Sequence, residues 1–394
     1  MESLSNISLT CLAWYELAEN TPALWTNICV APGSAIGPYG LLTRPSFLHR
    51  QIVRCGGLPL KVDFNFPEVD ISYKRPNPRP LYAALLSMIL QEHSHIERLR
   101  ITTYSFCMDD PSMRPYCMHG ITDMINPWLR THAPPLLKDL AIDDGAGRGF
   151  TCGFEADPAN EITLPPRLEI LKIHGSFLAV ISSGSWPAMT DLHIMGSVWS
   201  MRDLMEVLKT CDRLENLTIE FSCDRITVFP TVTLPSLHSL TLYDAQSLRR
   251  DIPLLSLRTP ALRSLVVGSG IFMYQDLISL LGDAPINQDL SLDFKSARMD
   301  GDCLGRIIRS CSRVTALSFT DSSMSRRTTD APLQTLIEYV QRRDSSLSRL
   351  FVQGIGLTHR RSTMHEWRTL AGFAERVVNG GDFDEVELIF KQAG

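Results

Sequence analysis

Residues 168–173 read Leu-Glu-Ile-Leu-Lys-Ile, and the same spacing of apolar residues returns at 189–194, 214–219, 237–242 and 262–267. Each copy holds an apolar residue, two variable residues, a second apolar residue, one variable residue and a third apolar residue. The last two apolar positions alternate with variable ones, which is the period-two pattern of a strand with one buried face. The first apolar residue lies three positions earlier, where a turn can return its side chain to the same interior. The pattern predicts short strands, each preceded by a turn.

One such copy cannot be stable by itself. Three buried aliphatic side chains contribute roughly 1.5 to 3 kcal/mol each, whereas ordering the backbone costs about 1 to 2 kcal/mol for every residue. Only neighbouring copies can cover the two flanks of each strand, so the copies are expected to stack.

The pattern continues on both sides of this central stretch. Its further copies start at Ile96, Leu137, Asn287, Val314, Leu347 and, weakly, Phe383. The steps between starts are 21 to 27 residues in the centre and 31 to 41 residues toward the ends, and about 20 to 29 residues is typical of leucine-rich repeats. The stretch resembles a leucine-rich repeat solenoid, which implies an α/β fold with a curved parallel sheet inside and helices outside.

Helical spacing precedes many of these strands. The predicted helices cover 47–55, 81–92, 121–131, 201–210, 274–281, 302–310, 333–343 and 367–378, and 58–66 is predicted as a further strand. Strands that alternate with helices at this period imply parallel strands with right-handed crossovers. Some eleven to twelve strands, about 4.7 to 4.9 Å apart, give an arc of roughly 50 Å, which has room for a protein partner or a peptide.

The N-terminal residues form a different pattern. Residues 4–19 have apolar residues at helical spacing, and Thr21-Pro22 is typical of an N-cap and first turn of a second short helix, before an apolar strand at 27–30. The order of the marker residues is Cys11, Trp14, Leu17, Ala18, Thr21, Pro22, Leu24, Trp25, Ile28 and Val30. This order resembles the C-terminal half of the F-box-like module that precedes leucine-rich repeats in many fungal proteins.

The F-box resemblance implies a partial, N-terminally truncated module, because the Leu-Pro-x-Glu helix start typical of the family is not in the sequence. We expect a partial F-box-like segment at 1–30, a linker and helix at 31–57, and the solenoid at 58–394. The resemblance implies adaptor-facing or module-core roles for Cys11, Trp14, Leu17, Pro22, Leu24 and Trp25.

The composition of the 394 residues is that of a folded protein, with 44% hydrophobic and 21% charged residues. A formal net charge of -5 does not indicate a phosphate-binding surface. The ten cysteines form no C-x-x-C pair, and reduced, partly buried thiols are expected. The first residues have no basic region or cleavage-like site, so no signal peptide is expected. An apolar run of 18 residues is not found, and a cytoplasmic or nuclear location is expected.

Two insertions interrupt the repeat pattern, at 143–166 and at 321–332. Segments of this length in a compact array are either binding elements or disordered excursions. The sequence leaves both alternatives open, and a flexible loop is expected at each.

No motif predicts catalysis, a cofactor or a metal. Gly268-Ser269-Gly270 follows an apolar run, but Met273 stands where a dinucleotide loop has its third glycine, so a strand-to-helix turn is expected. His93 with His95, and His359 with His365, have no further ligand pair at metal spacing. The paired arginines at four places are typical of solvated helix ends, and the chain is predicted not to be an enzyme.

The variable residues of the strands are the candidates for partner binding, because the concave side of such a sheet need not be apolar. Those expected there are Arg98, Arg100, Asp139, Lys172, His174, Asp191, His193, Thr218, Glu220, Thr241, Tyr243, Asp293, Thr320, Arg349, Phe351 and Gln353. The candidate contact residues among them are Lys172, His174, His193, Thr218, Tyr243, Arg349 and Phe351, with the aromatic Tyr243 and Phe351 as anchors.

Two functions remain as alternatives. One is substrate recognition for a Skp-cullin-F-box type ubiquitin ligase, with a Skp-type adaptor on the N-terminal helices and a protein substrate on the concave face. The other is a leucine-rich repeat scaffold for a partner unrelated to ubiquitination. Neither involves a nucleic acid or a membrane, and the sequence predicts no oligomeric state.

Overall fold

The structure of the protein is a computed structural model. The residues that it describes are 12–31, 45–66, 79–103, 119–144, 161–162, 164–174, 180–181, 186–195, 201–221, 231–244, 257–270, 277, 280–281, 289–297, 314–320, 349–353 and 385–389. The predicted helices at 302–310, 333–343 and 367–378, the insertion at 321–332, and Cys11, His359 and His365 lie outside these residues. The chain packs as two compact units, Met1–Val198 and Trp199–Gly394, called unit 1 and unit 2.

The described helices are short and amphipathic or fully apolar. They are α1 (Leu12–Glu19), a 3-10 helix (Pro22–Trp25), α2 (Pro45–Arg54), α3 (Arg79–Gln91), α4 (His119–His132) and α5 (Met201–Leu208). Gly56 and Gly57 follow α2 with φ of 62° and 79°, left-handed values that glycine adopts without strain and that commonly end helices. The helices predicted at 47–55, 81–92, 121–131 and 201–210 are confirmed to within two residues of their predicted starts and ends.

Unit 1 contains a parallel sheet. Its strands are β1 (Asn27–Val30), β2 (Leu60–Asn65), β3 (Ile96–Thr103), β4 (Asp139–Asp144), β5 (Glu161–Ile162), β6 (Ile170–His174), β7 (Val180–Ile181) and β8 (Asp191–Met195). The sheet has the order β1-β2-β3-β4-β6-β8. One row of register partners runs through Ile28, Val62, Leu99, Leu140, Leu171 and Leu192. The middle apolar residues of the sequence pattern thus lie side by side.

Unit 2 has the same kind of sheet. Its strands are β9 (Asn216–Phe221), β10 (Val232–Thr233), β11 (Ser239–Asp244), β12 (Leu257–Arg258), β13 (Ser264–Gly270), β14 (Leu290–Ala297), β15 (Val314–Thr320), β16 (Arg349–Gln353) and β17 (Glu385–Ile389). The sheet order is β9-β11-β13-β14-β15-β16-β17. The row of register partners runs through Leu217, Leu240, Leu265, Leu292, Leu317, Leu350 and Val386. The α/β class and the parallel pairing predicted from the sequence are confirmed, and the arrangement is compatible with a solenoid-like fold.

The apolar residues of the pattern form the core of each unit. In each described copy from Ile96 to Val267, all three apolar residues are buried. In unit 1, α3 contributes the fully buried Leu85, Leu86 and Ile89. In unit 2, Leu204 and Leu208 of α5 are buried in the same way. Burial of such a side chain stabilises the fold by about 1.5 to 3 kcal/mol, so the ladder of leucines is the main stabilising element of both sheets.

A four-residue turn precedes most of these strands, as the sequence predicts. The first apolar residue of a copy donates its backbone N–H to the carbonyl three residues earlier, at 3.1 to 3.3 Å for the bonds that end at Leu137, Leu168, Met189, Leu214, Leu237 and Leu262. The second residue of the turn is proline in five of these six, namely Pro135, Pro166, Pro187, Pro235 and Pro260. Proline suits that place because its fixed φ matches the turn. The residue that opens each of these turns is also buried, which the sequence pattern did not predict.

Two small parallel ladders lie outside the main sheets. In unit 1, β5 pairs with β7, and in unit 2, β10 pairs with β12. Each ladder joins only two residues of one connection to two residues of a later one. The segment 143–166 was predicted as a flexible loop, and this is wrong for its described parts, where Asp143 and Asp144 end β4, Glu161 and Ile162 form β5, and 164–166 lead into a turn.

Two further local predictions have different outcomes. Thr21 is the N-cap residue of the 3-10 helix and Pro22 follows it in the first turn, as predicted, but the Thr21 side chain makes no capping bond; its Oγ1 donates instead to the carbonyl of Leu17 at 2.7 Å and thereby closes α1. The strand-to-helix turn predicted at Gly268, Ser269 and Gly270 is wrong, because these are the last three residues of β13. The local sequence did not reveal this, because their place is set by pairing with the neighbouring strands.

Among the described residues, no helix combines the length and the apolar character needed to cross a membrane.

Candidate interaction surfaces

The segment from α1 to β1 is held on unit 1 by Trp25. This side chain is only 4% exposed, and its Nε1 donates to the carbonyl of Ala18 at 2.7 Å. The Arg54 guanidinium of α2 lies 4.6 Å from the ring centroid and forms an ion pair with Glu19 at the end of α1. Gln51 of α2, itself buried, donates to the carbonyls of Trp25 and Asn27. Trp25 is therefore a packing residue that joins α1, α2 and β1.

The other predicted residues of this segment lie on its surface. Trp14 is 51% exposed and Leu17 is 53% exposed, and Leu12 and Tyr15 of the same helix are exposed as well. We call Leu12, Trp14, Tyr15 and Leu17 the N-terminal apolar patch. Leu24 is partly exposed. Pro22 is the first residue of the 3-10 helix, as predicted. Of the α1 side chains whose exposure the structure describes, Ala18 is the buried one.

The side of each sheet opposite to the leucine ladder is polar. We call the alternate residues on this side of β2, β3, β4, β6 and β8 the unit-1 polar face, and those of β9, β11, β13 and β14 the unit-2 polar face. Lys172 and His193 are register partners on the unit-1 polar face, and both are half-buried. The backbone of His174 lies two residues further along β6, and its side chain is outside the described part.

Ion pairs cross the strands of the unit-1 polar face. Arg98 donates to Asp63 Oδ2 at 2.9 Å. Arg100 donates to Asp139 Oδ2 from both Nε, at 3.1 Å, and Nη2, at 2.6 Å. The carboxylate of Asp139 is only 11% exposed. Each of these strands brings a charge that a neighbouring strand pairs, although Arg98 Nε and Asp139 Oδ1 are buried without a hydrogen-bond partner among the described residues.

The unit-2 polar face is arranged differently. Tyr243 of β11 is the register partner of Gly268 of β13 on one side and of Glu220 of β9 on the other. A Cβ placed on Gly268 would lie 2.2 Å from Cε1 and 2.3 Å from Cδ1 of Tyr243. The tyrosine ring therefore lies across β13, in the place that a side chain at 268 would take. Glycine is required here by the close approach of that ring.

Two carboxylates lie on the same face as this tyrosine. Glu220, on the adjacent β9, is buried to 7% exposure. Asp293 of β14 lies 3.5 Å from Lys295 Nζ through its Oδ2, whereas its Oδ1 is buried without a hydrogen-bond partner. Thr218, expected at an exposed concave position, is instead buried. The side chains of Glu220 and Thr218 on the strand next to Tyr243 are thus largely covered.

The remaining candidates, Arg349 and Phe351, are placed only by their backbone. Both lie in β16, where Phe351 is the register partner of Ser318 on one side and Glu387 on the other. Their side chains are outside the described part of the chain, so their role as contacts stays a prediction.

His93 and His95, for which the sequence indicates no metal site, contact other parts of unit 1. His93 stacks on His132 of α4, with ring centroids 4.3 Å apart, and a Cβ on Gly57 would lie 3.4 Å from the ring of His95. In the part of the chain that the structure describes, no group of three or more His, Cys, Asp or Glu is arranged to hold a metal ion. Burial raises the pKa of the Cys211 thiol to about 12, so this thiol stays protonated and inert near neutral pH.

The comparisons with known proteins give no family for this chain. No family model matches it, and no curated protein matches it in sequence.

Proposed function

We propose that the protein is a non-enzymatic interaction module of the leucine-rich repeat type that serves as the substrate-recognition part of a Skp-cullin-F-box type ubiquitin ligase. In this proposal, a Skp-type adaptor binds the N-terminal apolar patch, and a protein substrate binds the polar faces of the sheets. The protein positions the substrate and performs no chemistry itself. It needs no cofactor or metal and works in the cytoplasm or the nucleus.

The strand register supports the repeat part of the proposal. In both units the middle apolar residue of one copy is the partner of the middle apolar residue of the next. The turns also repeat, with the same backbone bond and usually the same proline. Each copy then acts as one structural unit that contacts its neighbours in sequence, which is the defining property of a repeat protein.

The N-terminal apolar patch is the observation that carries the adaptor part. Leu12, Trp14, Tyr15 and Leu17 lie on one short helix and are all exposed, although Trp25 shows that the same segment is folded against unit 1. Large exposed apolar side chains concentrated in one segment are candidates for a protein interaction site. Tryptophan and tyrosine are the residue types most enriched among interface residues that contribute strongly to binding.

Affinity capture tests this proposal. The full chain, immobilised and exposed to a fungal extract, is expected to retain a Skp-type adaptor, identified by mass spectrometry. Leu17→Asp puts a charge into the patch and should reduce capture at least tenfold. Val53→Asp is the matched control, because Val53 is an exposed apolar residue of α2 outside the patch, and its capture should equal that of the unchanged protein. Capture of no adaptor by the unchanged chain would contradict the ligase function.

The alternative is a leucine-rich repeat scaffold whose partner is unrelated to ubiquitination. The observation that favours it is the packing of Trp25, Gln51 and β1 onto the edge of the unit-1 sheet. Such packing makes residues 12–30 an end cap, which covers a terminal strand whatever the partner is. Under this alternative, Leu17→Asp changes no interaction, and the captured proteins include no adaptor.

A further inference from the structure

Two cationic side chains lie next to each other on the unit-1 polar face. Lys61 of β2 and Arg98 of β3 are register partners on adjacent strands, and Lys61 is exposed. Like charges directly opposite each other on a sheet are destabilising. The other register partner of Lys61 is the neutral Asn27 of β1. Neither cross-strand neighbour in this row therefore balances the charge of Lys61.

The described ion pairs of unit 1 do not balance this charge either. They are formed by Arg54, Arg98, Arg100 and Lys138, and none of them includes Lys61. The guanidinium of Arg98 reaches diagonally across the strands to Asp63, which is two residues beyond Lys61 on β2. The strand register thus leaves an exposed ammonium beside an arginine that is already paired.

The charges that β2 and β3 carry on this face give a cationic surface. They are those of Lys61, Arg98 and Arg100 against the single carboxylate of Asp63. Asp139 of β4, which pairs with Arg100, is only 11% exposed, whereas Arg100 is 44% exposed. The arginine is therefore at the surface and its carboxylate lies mostly beneath. We call Lys61, Arg98 and Arg100 the cationic site.

Carboxylates of the protein hold both arginines of the cationic site in place. Asp139 Oδ2 accepts from Nε and Nη2 of Arg100 at 3.1 and 2.6 Å, and Nη1 takes part in neither bond. Asp63 Oδ2 accepts from Nη2 of Arg98 at 2.9 Å. A side chain that is already ordered loses less conformational entropy when a partner binds. The remaining N–H groups of Arg100 are thus prepared to donate to a second acceptor.

Carboxylate side chains of a partner are the acceptors that suit this site. A carboxylate can accept two N–H bonds from one guanidinium and can also pair with an ammonium. A cationic segment would be repelled by Lys61 and the two arginines. On β4 and β8 the same face also carries Asp143 and Asp191, which disfavour a further anion there. An acidic segment is therefore expected over β2 and β3.

We propose that Lys61, Arg98 and Arg100 bind a segment of the protein partner that contains Asp or Glu side chains. This inference rests on the proposed function, because it supplies the chemical character of the substrate segment that the polar face recognises. The whole chain carries a formal net charge of -5, which repels acidic peptides in general. Recognition of an acidic segment therefore has to come from a local site and not from the overall charge.

The test is selection from a library of random peptides displayed on phage, with the full chain as bait. The expected result is enrichment of peptides that have Asp or Glu at shared positions. In the best peptide, changing these residues to Asn or Gln removes the charge at nearly the same shape, and binding should weaken by about tenfold or more. Lys61→Glu should weaken binding of the acidic peptide to a similar extent and binding of the amide peptide much less, because both changes remove the same interaction.

Lys138→Glu is the matched control. Lys138 is an exposed lysine of the same unit that pairs with Glu97 at 3.2 Å, so this variant makes the same change of charge outside the cationic site. It should change binding of the acidic peptide by less than about twofold, because exposed charges away from a contact are screened by salt.

Thermal unfolding separates binding from folding. In Lys61→Glu the new carboxylate faces Arg98, and opposite charges in such a cross-strand pair are stabilising. The unfolding midpoint of this variant should therefore be no lower than that of the unchanged protein.

Several results would each overturn the inference. They are enrichment of neutral or basic peptides, no selected peptide, unchanged binding by Lys61→Glu, an equal loss in Lys138→Glu, and a lowered unfolding midpoint of Lys61→Glu. Tighter binding of a single-stranded oligonucleotide than of the best peptide would overturn it as well, because the cations would then serve a phosphate backbone.

The adaptor experiment is independent of this test. Lys61→Glu should capture the adaptor as the unchanged chain does, because the N-terminal apolar patch is unaltered. If the unchanged chain captures the adaptor but selects no acidic peptide, only the cationic site is refuted as a binding site. If it selects acidic peptides but captures no adaptor, only the ligase function is refuted.

Discussion

The unit-1 and unit-2 polar faces differ in what happens to their charges, although the same kind of strand ladder carries both. On unit 1, Arg98 and Arg100 neutralise Asp63 and Asp139 across the strands. On unit 2, the described ion pair joins Lys295 and Asp293 of one strand, and Tyr243 lies over a glycine of the next strand. The comparison teaches that a ladder leaves its polar face free to vary. One face carries ion pairs between strands, while the other carries an aromatic ring packed over a glycine.

The largest expected effect tests what the two faces share. Leu140→Ala in unit 1 and Leu240→Ala in unit 2 each remove a fully buried rung of the leucine ladder. Each should lower the free energy of unfolding by about 2 to 5 kcal/mol, through lost burial and the cavity that remains. Chemical denaturation of the two variants measures this. If the free energy of unfolding falls in one variant and not in the other, the two ladders do not contribute equally to stability.

Next in size is the ion pair that distinguishes the unit-1 polar face. Arg100→Ala leaves the Asp139 carboxylate largely buried and without its two bonds, which should lower the free energy of unfolding by about 1 to 3 kcal/mol. Lys61→Ala is the control, since Lys61 is exposed on the adjacent β2 and should change it by less than about 0.5 kcal/mol. Equal values from denaturation of both variants would show that the unit-1 pairs contribute nothing to stability.

A smaller effect is expected at the contact that distinguishes the unit-2 polar face. Gly268→Ala places a methyl group where the Tyr243 ring lies, and the forced shift should cost about 1 to 3 kcal/mol of unfolding free energy. Tyr243→Ala combined with Gly268→Ala removes the clash, so the double variant should lose less than the sum of the two single variants. Strictly additive losses would mean that the ring does not occupy this place.

The smallest effect on the free energy of unfolding is expected when a carboxylate on either face is replaced by the neutral amide. Glu220→Gln should leave the free energy of unfolding unchanged or raised, because it removes a buried charge without breaking a described bond. Asp139→Asn is the matched change on unit 1 and should lower it, because the bonds from Arg100 lose their ionic component. The two values come from the same denaturation experiment, and the comparison between the faces fails if both variants are destabilised alike.

The leucine ladder was predictable from the sequence because its signal is repeated. Leu171, Leu192 and Leu217 stand in the same local pattern, and a parallel sheet with one buried side places such residues next to each other. The turns were predictable for the same reason. The buried residue that opens each turn, such as Trp186 or Leu234, was missed because it is apolar in some copies and proline or threonine in others.

The contact between Tyr243 and Gly268 was not predicted, although the sequence contained a signal for it. The two residues are 25 positions apart, the same as the step from Leu237 to Leu262, so the repeat itself makes them register partners. A glycine inside a strand pattern often marks close approach of another group. Reading Gly268 only with its neighbours Ser269 and Gly270 hid this. The burial of Glu220 could not be predicted, because the covering of a polar face does not follow from the periodicity that reveals the apolar one.

At several steps along the sheets, one carbonyl accepts two successive backbone N–H groups of the next copy. Lys138 accepts from Glu169 and Ile170, and His238 accepts from Arg263 and Ser264. This pair of hydrogen bonds lies between the turn and the strand, so the segment there cannot accept an inserted residue without losing one of the bonds. For protein engineering, a tag, a reporter or a second binding loop belongs after the carboxyl end of a strand. The same insertion between turn and strand would shift every later rung out of alignment.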